Sequence, residues 1–192
     1  MIDLSYLSWN KHINNITLKA NNTLSFLKRN LQINNTNLKT TAYQTLVRPQ
    51  LEYASSVWDP FTKKNVDRIE MVQRRAARYA LNRFNNTSSV TNMLNDLRWQ
   101  TLEQRRKAQR LTNLYKIRNG HVVLDDYETR FIPANTRHRT CHDQSYDIPF
   151  SRANYHRYSY ISRTIREWNA LPSHVATAPS LNAFKRCLSE AL

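Results

Sequence analysis

The sequence predicts a mainly α-helical protein: a helical bundle followed by a loop-rich C-terminal segment with one or two short strands and terminal helices. Three observations predict it. Apolar residues recur at steps of three and four through most of the first 118 positions, which is the period of a helix and not of a strand. Residues that open and close helices flank those stretches. The 192 residues include a single glycine, Gly120, whereas a large sheet needs glycine wherever hairpins and bulges turn to positive φ.

Between positions 9 and 31, Ile13, Ile16, Ala20, Leu24, Leu27 and Leu31 share one face of a helix. The polar run Asn34 to Asn37 is a turn and N-cap for a second helix carrying Leu38, Ala42, Tyr43, Leu46 and Val47. Pro49 ends or kinks that helix, because proline lacks an amide proton and disfavours helical backbone at Arg48. Helix resumes from Leu51 to Trp58 with Leu51, Ala54, Val57 and Trp58 inward, and Asp59-Pro60 closes it. Thr62 caps a third helix reaching about Asn82, with Val66, Ile69, Gln73, Ala76 and Ala80 along its buried stripe. Asn85 to Ser88 breaks it, and Val90 to Leu97 forms a short helix or turn.

Thr101 and Gln104 have the spacing of a capping box, opening a helix that runs to about Arg118 and stops at Gly120, the residue type that turns a helix off in the left-handed conformation. Beyond it the helical period is lost as far as Tyr160. Helix returns near Thr164 to Asn169, stops at Leu171-Pro172, and a last amphipathic helix opens at Ser180 with Leu181, Phe184 and Leu188 inward. This change of pattern divides the chain into a helical domain, 1–120, and a loop-rich extension, 121–192.

The 29 Lys and Arg against 14 Asp and Glu leave a formal charge of +15, and such an excess costs the compact state self-repulsion unless a polyanion neutralises it. Residues 63–118 hold fourteen basic and four acidic residues, two thirds of the net charge. Arg68, Arg74, Arg75, Arg78 and Arg83 fall on the arc opposite the third helix's apolar stripe. Arg105, Arg106, Lys107 and Arg110 crowd the helix opened by Thr101. Packed antiparallel by their apolar stripes, the two helices would present a basic wall to a phosphate backbone, which positions a duplex without reading its bases. The guanidinium's fork of donors suits phosphate or carboxylate better than simple solubility does.

Other chemistry finds little support. One glycine excludes a glycine-rich nucleotide loop and a nucleophile elbow. No stretch approaches the roughly 20 apolar residues that span a bilayer, and the first residues lack the pattern of a signal peptide. An intracellular protein of nucleus or cytoplasm, with no membrane partner, is expected. The two cysteines, Cys141 and Cys187, follow no disulfide framework. His138, Cys141 and His142, with His156 downstream, can be drawn as a zinc site but match no common spacing. Asp125-Asp126, beside Glu128, lacks the second acidic strand that a two-metal site needs. Neither a metal site nor a cofactor is therefore expected. Trp58, Trp99 and Trp168 sit where core packing explains them; Tyr155, Tyr158 and Tyr160, interleaved with His156 and Arg157, are better candidates for base stacking, though core packing explains them as well.

Several strings carry a resemblance. They are Ser8-Trp9-Asn10-Lys11-His12-Ile13, Leu27-Lys28-Arg29-Asn30-Leu31, Leu46-Val47-Arg48-Pro49-Gln50-Leu51-Glu52-Tyr53-Ala54 and Val57-Trp58-Asp59-Pro60. Further along come Glu70-Met71-Val72-Gln73-Arg74-Arg75-Ala76-Ala77-Arg78, Leu102-Glu103-Gln104-Arg105-Arg106, and Arg163 to Pro172 followed by Ser180 to Lys185. In this order they resemble the region after the palm in reverse transcriptases of non-LTR (LINE-type) retrotransposons, including the jockey-like elements of animals. The resemblance implies a helical thumb and C-terminal extension of an RNA-directed DNA polymerase, gripping the template-primer duplex of RNA and DNA. The family's catalytic hairpin and metal-binding aspartates have no counterpart here. No catalytic residue carries over, and no polymerase activity is expected of the chain alone. The alternative is a protein-interaction module whose basic face meets an acidic partner or a separately supplied palm domain.

Overall fold

The computed structural model describes residues 9–85, 89–125, 130–134 and 142–192. Helix α1, Asn10–Asn30, buries Ile13, Thr17, Ala20, Leu24 and Leu27. Thr17 is tolerated in this stripe because its hydroxyl donates to the Ile13 carbonyl at 2.7 Å. Asn35 caps α2, Thr36–Ala42, its side chain accepting from the Leu38 amide.

Pro49 is accommodated without breaking the chain direction. Its ring would collide with the carbonyl four residues back, and the turn before it is π-helical, Tyr43–Val47, with the Arg48 amide reaching back five residues to the Tyr43 carbonyl. The wider turn makes room for the ring and leads into α3, Arg48–Glu52. The buried row becomes Lys39, Tyr43, Val47 and Leu51, leaving Leu38 and Leu46 exposed. Ala54 then takes a φ of 50°, which separates α3 from α4, Ser55–Trp58. Leu51 and Trp58 are buried as expected, but this change of direction leaves Ala54 and Val57 outside.

Helix α5, Lys63–Leu81, buries Ile69, Val72, Gln73, Ala76 and Ala80. It runs parallel to α1, because residues paired across the two rise together in number. Asn65 donates to Asn10 at 2.7 Å, Arg75 to Asn21 at 3.0 Å, and the Tyr79 hydroxyl to the carbonyls of Leu27 and Leu31 at 3.2 and 2.7 Å. The expected antiparallel partner was the other basic helix; instead α1, α2 and α6, Val90–Asp96, pack most closely on α5. Lys39 is buried at the far end of α5, donating to the Tyr79 carbonyl and to Asn82 Oδ1 at 3.3 and 2.5 Å. That puts a cation on the negative end of the helix dipole.

Helix α7, Leu102–Arg118, opens with the expected capping box: the Thr101 amide donates to Gln104 Oε1 at 3.0 Å and the Gln104 amide to Thr101 Oγ1 at 3.1 Å. It closes at Gly120, φ 70°, with the His121 amide on the Lys116 carbonyl at 2.9 Å and the Gly120 amide on Ile117 at 3.2 Å. The same closure ends α5 at Asn82 and α6 at Arg98, both at φ 53°, so two of the three left-handed stops lack glycine.

Contacts divide the chain into two units, Met1–Arg106 and Lys107–Leu192. The boundary falls inside α7 and not at Gly120, because Leu102 belongs to the first core while Leu111, Leu114 and Tyr115 belong to the second. In the second unit Trp168 is fully buried, and Phe184 stacks on both it and Tyr115, with ring centroids 5.8 and 4.4 Å away. Its later helices are α8, Asn154–Arg157; α9, Tyr160–Asn169; α10, Ser173–Ala176; and α11, Leu181–Ala191. Ser180 caps the last through the Ala183 amide at 3.2 Å. The expected short strands reduce, among the described residues, to one antiparallel bridge between Pro133 and Tyr146. The protein is mainly α, with a loop-rich stretch late in the chain.

Candidate nucleic-acid interface

The outward arc of α5 carries Arg68, Arg74, Arg75 and Arg78, as its 3.6-residue period requires. Arg75 is exposed and the other three half-buried. None takes part in an ion pair among the described residues. Arg68 and Arg75 donate to side-chain oxygens of Asn14 and Asn21 on α1, which satisfy one N–H each without neutralising any charge. Arg74 lies on the opposite flank, beside Asp67 and Glu70 in a cleft of about 450 Å³ that Trp99 and Gln104 also line. Glu70 is nearly buried and accepts the Glu103 amide at 2.8 Å. Burial raises its pKa above the ordinary value, against the opposing pull of that hydrogen bond and of Arg106 and Arg74.

Arg83, beyond the end of α5, meets Asp96 at 2.5 Å with both side chains half exposed. Such a pair is worth little to stability, but Arg83 is not a lone charge on the arc.

Helix α7 corrects the expectation of a second basic wall. Arg105 makes a bidentate pair with Glu52, its second contact at 3.0 Å, and that hydrogen bonding holds its pKa above the usual arginine value. Arg106 is 2% exposed and bonds Asp59 Oδ1 at 2.7 Å. Arg110 is equally buried and grips both oxygens of Glu167 at 2.7 Å, while Arg163 approaches the same carboxylate at 3.3 Å. Burial keeps Arg110 below its ordinary pKa despite this partner. Arg106 and Arg110 therefore cannot reach a phosphate, and Arg105 already has a bound carboxylate. Of the four basic residues, Lys107 alone is half-buried and in no ion pair among the described residues. The signal was present in the sequence: positions 106 and 110 lie on the four-residue row from Leu102 to Leu114, the buried face of α7.

The three tryptophans considered for stacking, Trp58, Trp99 and Trp168, are all buried in the cores. Tyr155 and Tyr158 are exposed, the latter with the Arg166 guanidinium 5.7 Å from its ring centre. Tyr160 is half-buried, and burial raises its pKa. His142, drawn above as a zinc ligand, is a structural residue: Nδ1 accepts the Gln144 amide at 3.2 Å, which leaves Nε2 as the donor to the Trp168 carbonyl at 3.0 Å. His138, Cys141, Asp126 and Glu128 lie outside the described residues. Among those described, no group of three or more His, Cys, Asp or Glu is placed to hold a metal ion. No described helix is long and apolar enough to cross a membrane.

Comparison of the chain with models of protein families, with curated proteins and with solved structures found no match.

Proposed function

We propose that this chain is a thumb-like, duplex-gripping part of a non-LTR retrotransposon reverse transcriptase. It binds the phosphate backbone of template and primer through the outward face of α5 and lacks the catalytic palm. The observation that carries the reading is the state of the α5 arginines. Arg68, Arg74, Arg75 and Arg78 lie on the outward arc, and the hydrogen-bond partners of Arg68 and Arg75 are neutral asparagines, which leave the positive charge available to an anion. The ordered strings quoted from the sequence supply the polymerase context, and with it an intracellular site of action in nucleus or cytoplasm.

The test is binding of the purified chain to a labelled RNA–DNA hybrid and to a DNA duplex of equal length across a salt series. The logarithm of affinity should fall steeply with the logarithm of salt. Replacing Arg68, Arg74, Arg75 and Arg78 together by Ala should remove about 0.9 of that slope for each arginine that meets a phosphate. Unchanged binding by the quadruple variant sinks the assignment, and metal-dependent nucleotide incorporation by the chain alone would contradict its non-catalytic part.

A second reading has its own observation. Tyr53 and Val57 are 83% and 69% exposed on the α3–α4 corner, and apolar side chains so placed suit an apolar face of a protein partner such as a separately supplied palm domain. A partner held there should stay bound in high salt and after nuclease treatment.

A further inference from the structure

Helices α1 and α5 are parallel and stay in register, which places a second helix beside the arginine arc. The pairs Asn14 with Arg68 and Asn21 with Arg75 are each 54 residues apart and recur after seven residues, about 10.5 Å along the axis. Seven residues are close to two helical turns, so both pairs lie on the same flank. Helix α1 contains Lys11, Lys19, Lys28 and Arg29 and no carboxylate. On α5, Lys64, Arg68 and Arg75 fall on the flank toward α1, while Asp67 and Glu70 face the cleft on the other side. The strip between the helices is therefore free of acidic side chains.

Two further features point to an anion. Lys28 lies close enough to Arg75 to feel its charge, and burial first, then Arg75, hold the Lys28 ammonium below its ordinary pKa. Bringing two cations together with no carboxylate between them costs stability, and an anion bridging them would offset that cost. Asparagine as partner matters as well. A guanidinium has five N–H donors; Asn14 and Asn21 each accept one, fixing the plane while leaving the remaining donors and the full charge available. Aspartate at either place would have neutralised it, as Glu52, Asp59 and Glu167 do for the arginines of α7.

We infer that α1 and α5 together form a carboxylate-free seam on which a nucleic-acid phosphate backbone lies, contacted by Lys28, Arg68 and Arg75, with Asn14 and Asn21 as positioning residues. The inference rests on the reading of α5 given above and adds α1 to it. From Lys64 to Arg75 the strip runs about 16 Å at 1.5 Å per residue, long enough to meet several successive phosphates of one strand. A narrow line of cations at a fixed repeat suits a linear polyanion better than the flat surface of a bilayer.

The experiment uses the full chain, a fluorescein-labelled 20-base-pair DNA duplex and a salt series, with thermal melts of every variant. Lys28→Gln should lower the salt slope by about 0.9. Asn14→Ala with Asn21→Ala should weaken binding about threefold to tenfold, the cost of ordering two long side chains anew, with the slope unchanged because both charges remain. Asn21→Asp keeps a partner for Arg75, and so keeps the fold, but should lower the slope as Lys28→Gln does. Parent-like affinity and slope in all three variants, in a protein that the α5 quadruple variant still disables, overturns the seam alone. Absence of any duplex binding by the unaltered chain overturns the reading on which it rests.

Discussion

Helices α5 and α7 carry the same complement of four arginines and two lysines, yet they use it in opposite ways. On α5 none of the four arginines takes part in an ion pair among the described residues, and Arg68 and Arg75 meet asparagine. On α7 Arg105, Arg106 and Arg110 meet Glu52, Asp59 and Glu167, and Arg118 lies 5.9 Å from the Trp168 ring centre. Net charge along a sequence therefore does not locate a polyanion site. What distinguishes the two helices is whether the four-residue row joining their apolar positions runs through the arginines.

The comparison is broken most forcefully at Arg106. Arg106→Ala leaves Asp59 buried without its cation and should cost about 3–5 kcal/mol, measured by urea unfolding, while duplex affinity per folded molecule stays put. Arg106→Met combined with Asp59→Leu should recover most of the loss, because a well-packed apolar pair replaces a buried ion pair at little cost. A parent-like melt for Arg106→Ala alone would mean the pair is not the buried anchor described.

Arg98 belongs to neither class, since it holds a left-handed helix stop at φ 53°. Arg98→Gly should stabilise the protein by about 1 kcal/mol, as glycine adopts that conformation without the Cβ penalty; a lower melting temperature would show that the Arg98 side chain contributes more than its backbone costs. On the other side of the comparison, Arg75→Ala should change unfolding free energy by no more than about 0.5 kcal/mol while lowering the salt slope of duplex binding. A stability loss as large as that of Arg106→Ala would erase the distinction between the helices.

Glu70 supplies the smallest test. Its folded pKa is raised above the ordinary 4.5, so the ionised carboxylate disfavours the fold at neutral pH. That cost disappears as pH falls through the raised value toward 4.5. The parent should therefore gain stability from this group on acidification over that window. Glu70→Gln, whose amide oxygen can still accept the Glu103 amide, should be at least as stable at pH 7 and lack that gain; an identical pH profile in the two proteins would refute it.

Much of the fold was legible because it is local. The stripe of α1, the Thr101–Gln104 box, the Gly120 stop and the Ser180 cap each depend on residues within one or two turns. The second helix was read less well, since Pro49 is handled by a π turn that shifts the buried row to Lys39, Tyr43, Val47 and Leu51. Strength of periodicity cannot reveal such a shift. The candidate interface was half legible for a similar reason: the α5 arc follows from rotation alone, whereas Glu52 and Asp59 lie 53 and 47 residues from Arg105 and Arg106. Asn14 and Asn21 carry no signal until α1 is known to be the neighbour of α5.

The parallel pairing of α1 with α5 also has a kinetic side. Two parallel helices cannot be joined by a tight turn, so the chain must return along its own length, and α2 through α4 make that return. The seam therefore depends on contacts some fifty residues apart, whose loop-closure entropy must be met before any of them forms. A peptide of α5 alone would carry every arginine of the arc and none of the asparagines that orient them. Slower assembly of the first unit than local helix formation, and weaker duplex binding by an α5 peptide than by the folded chain, are two outcomes expected of the same topology.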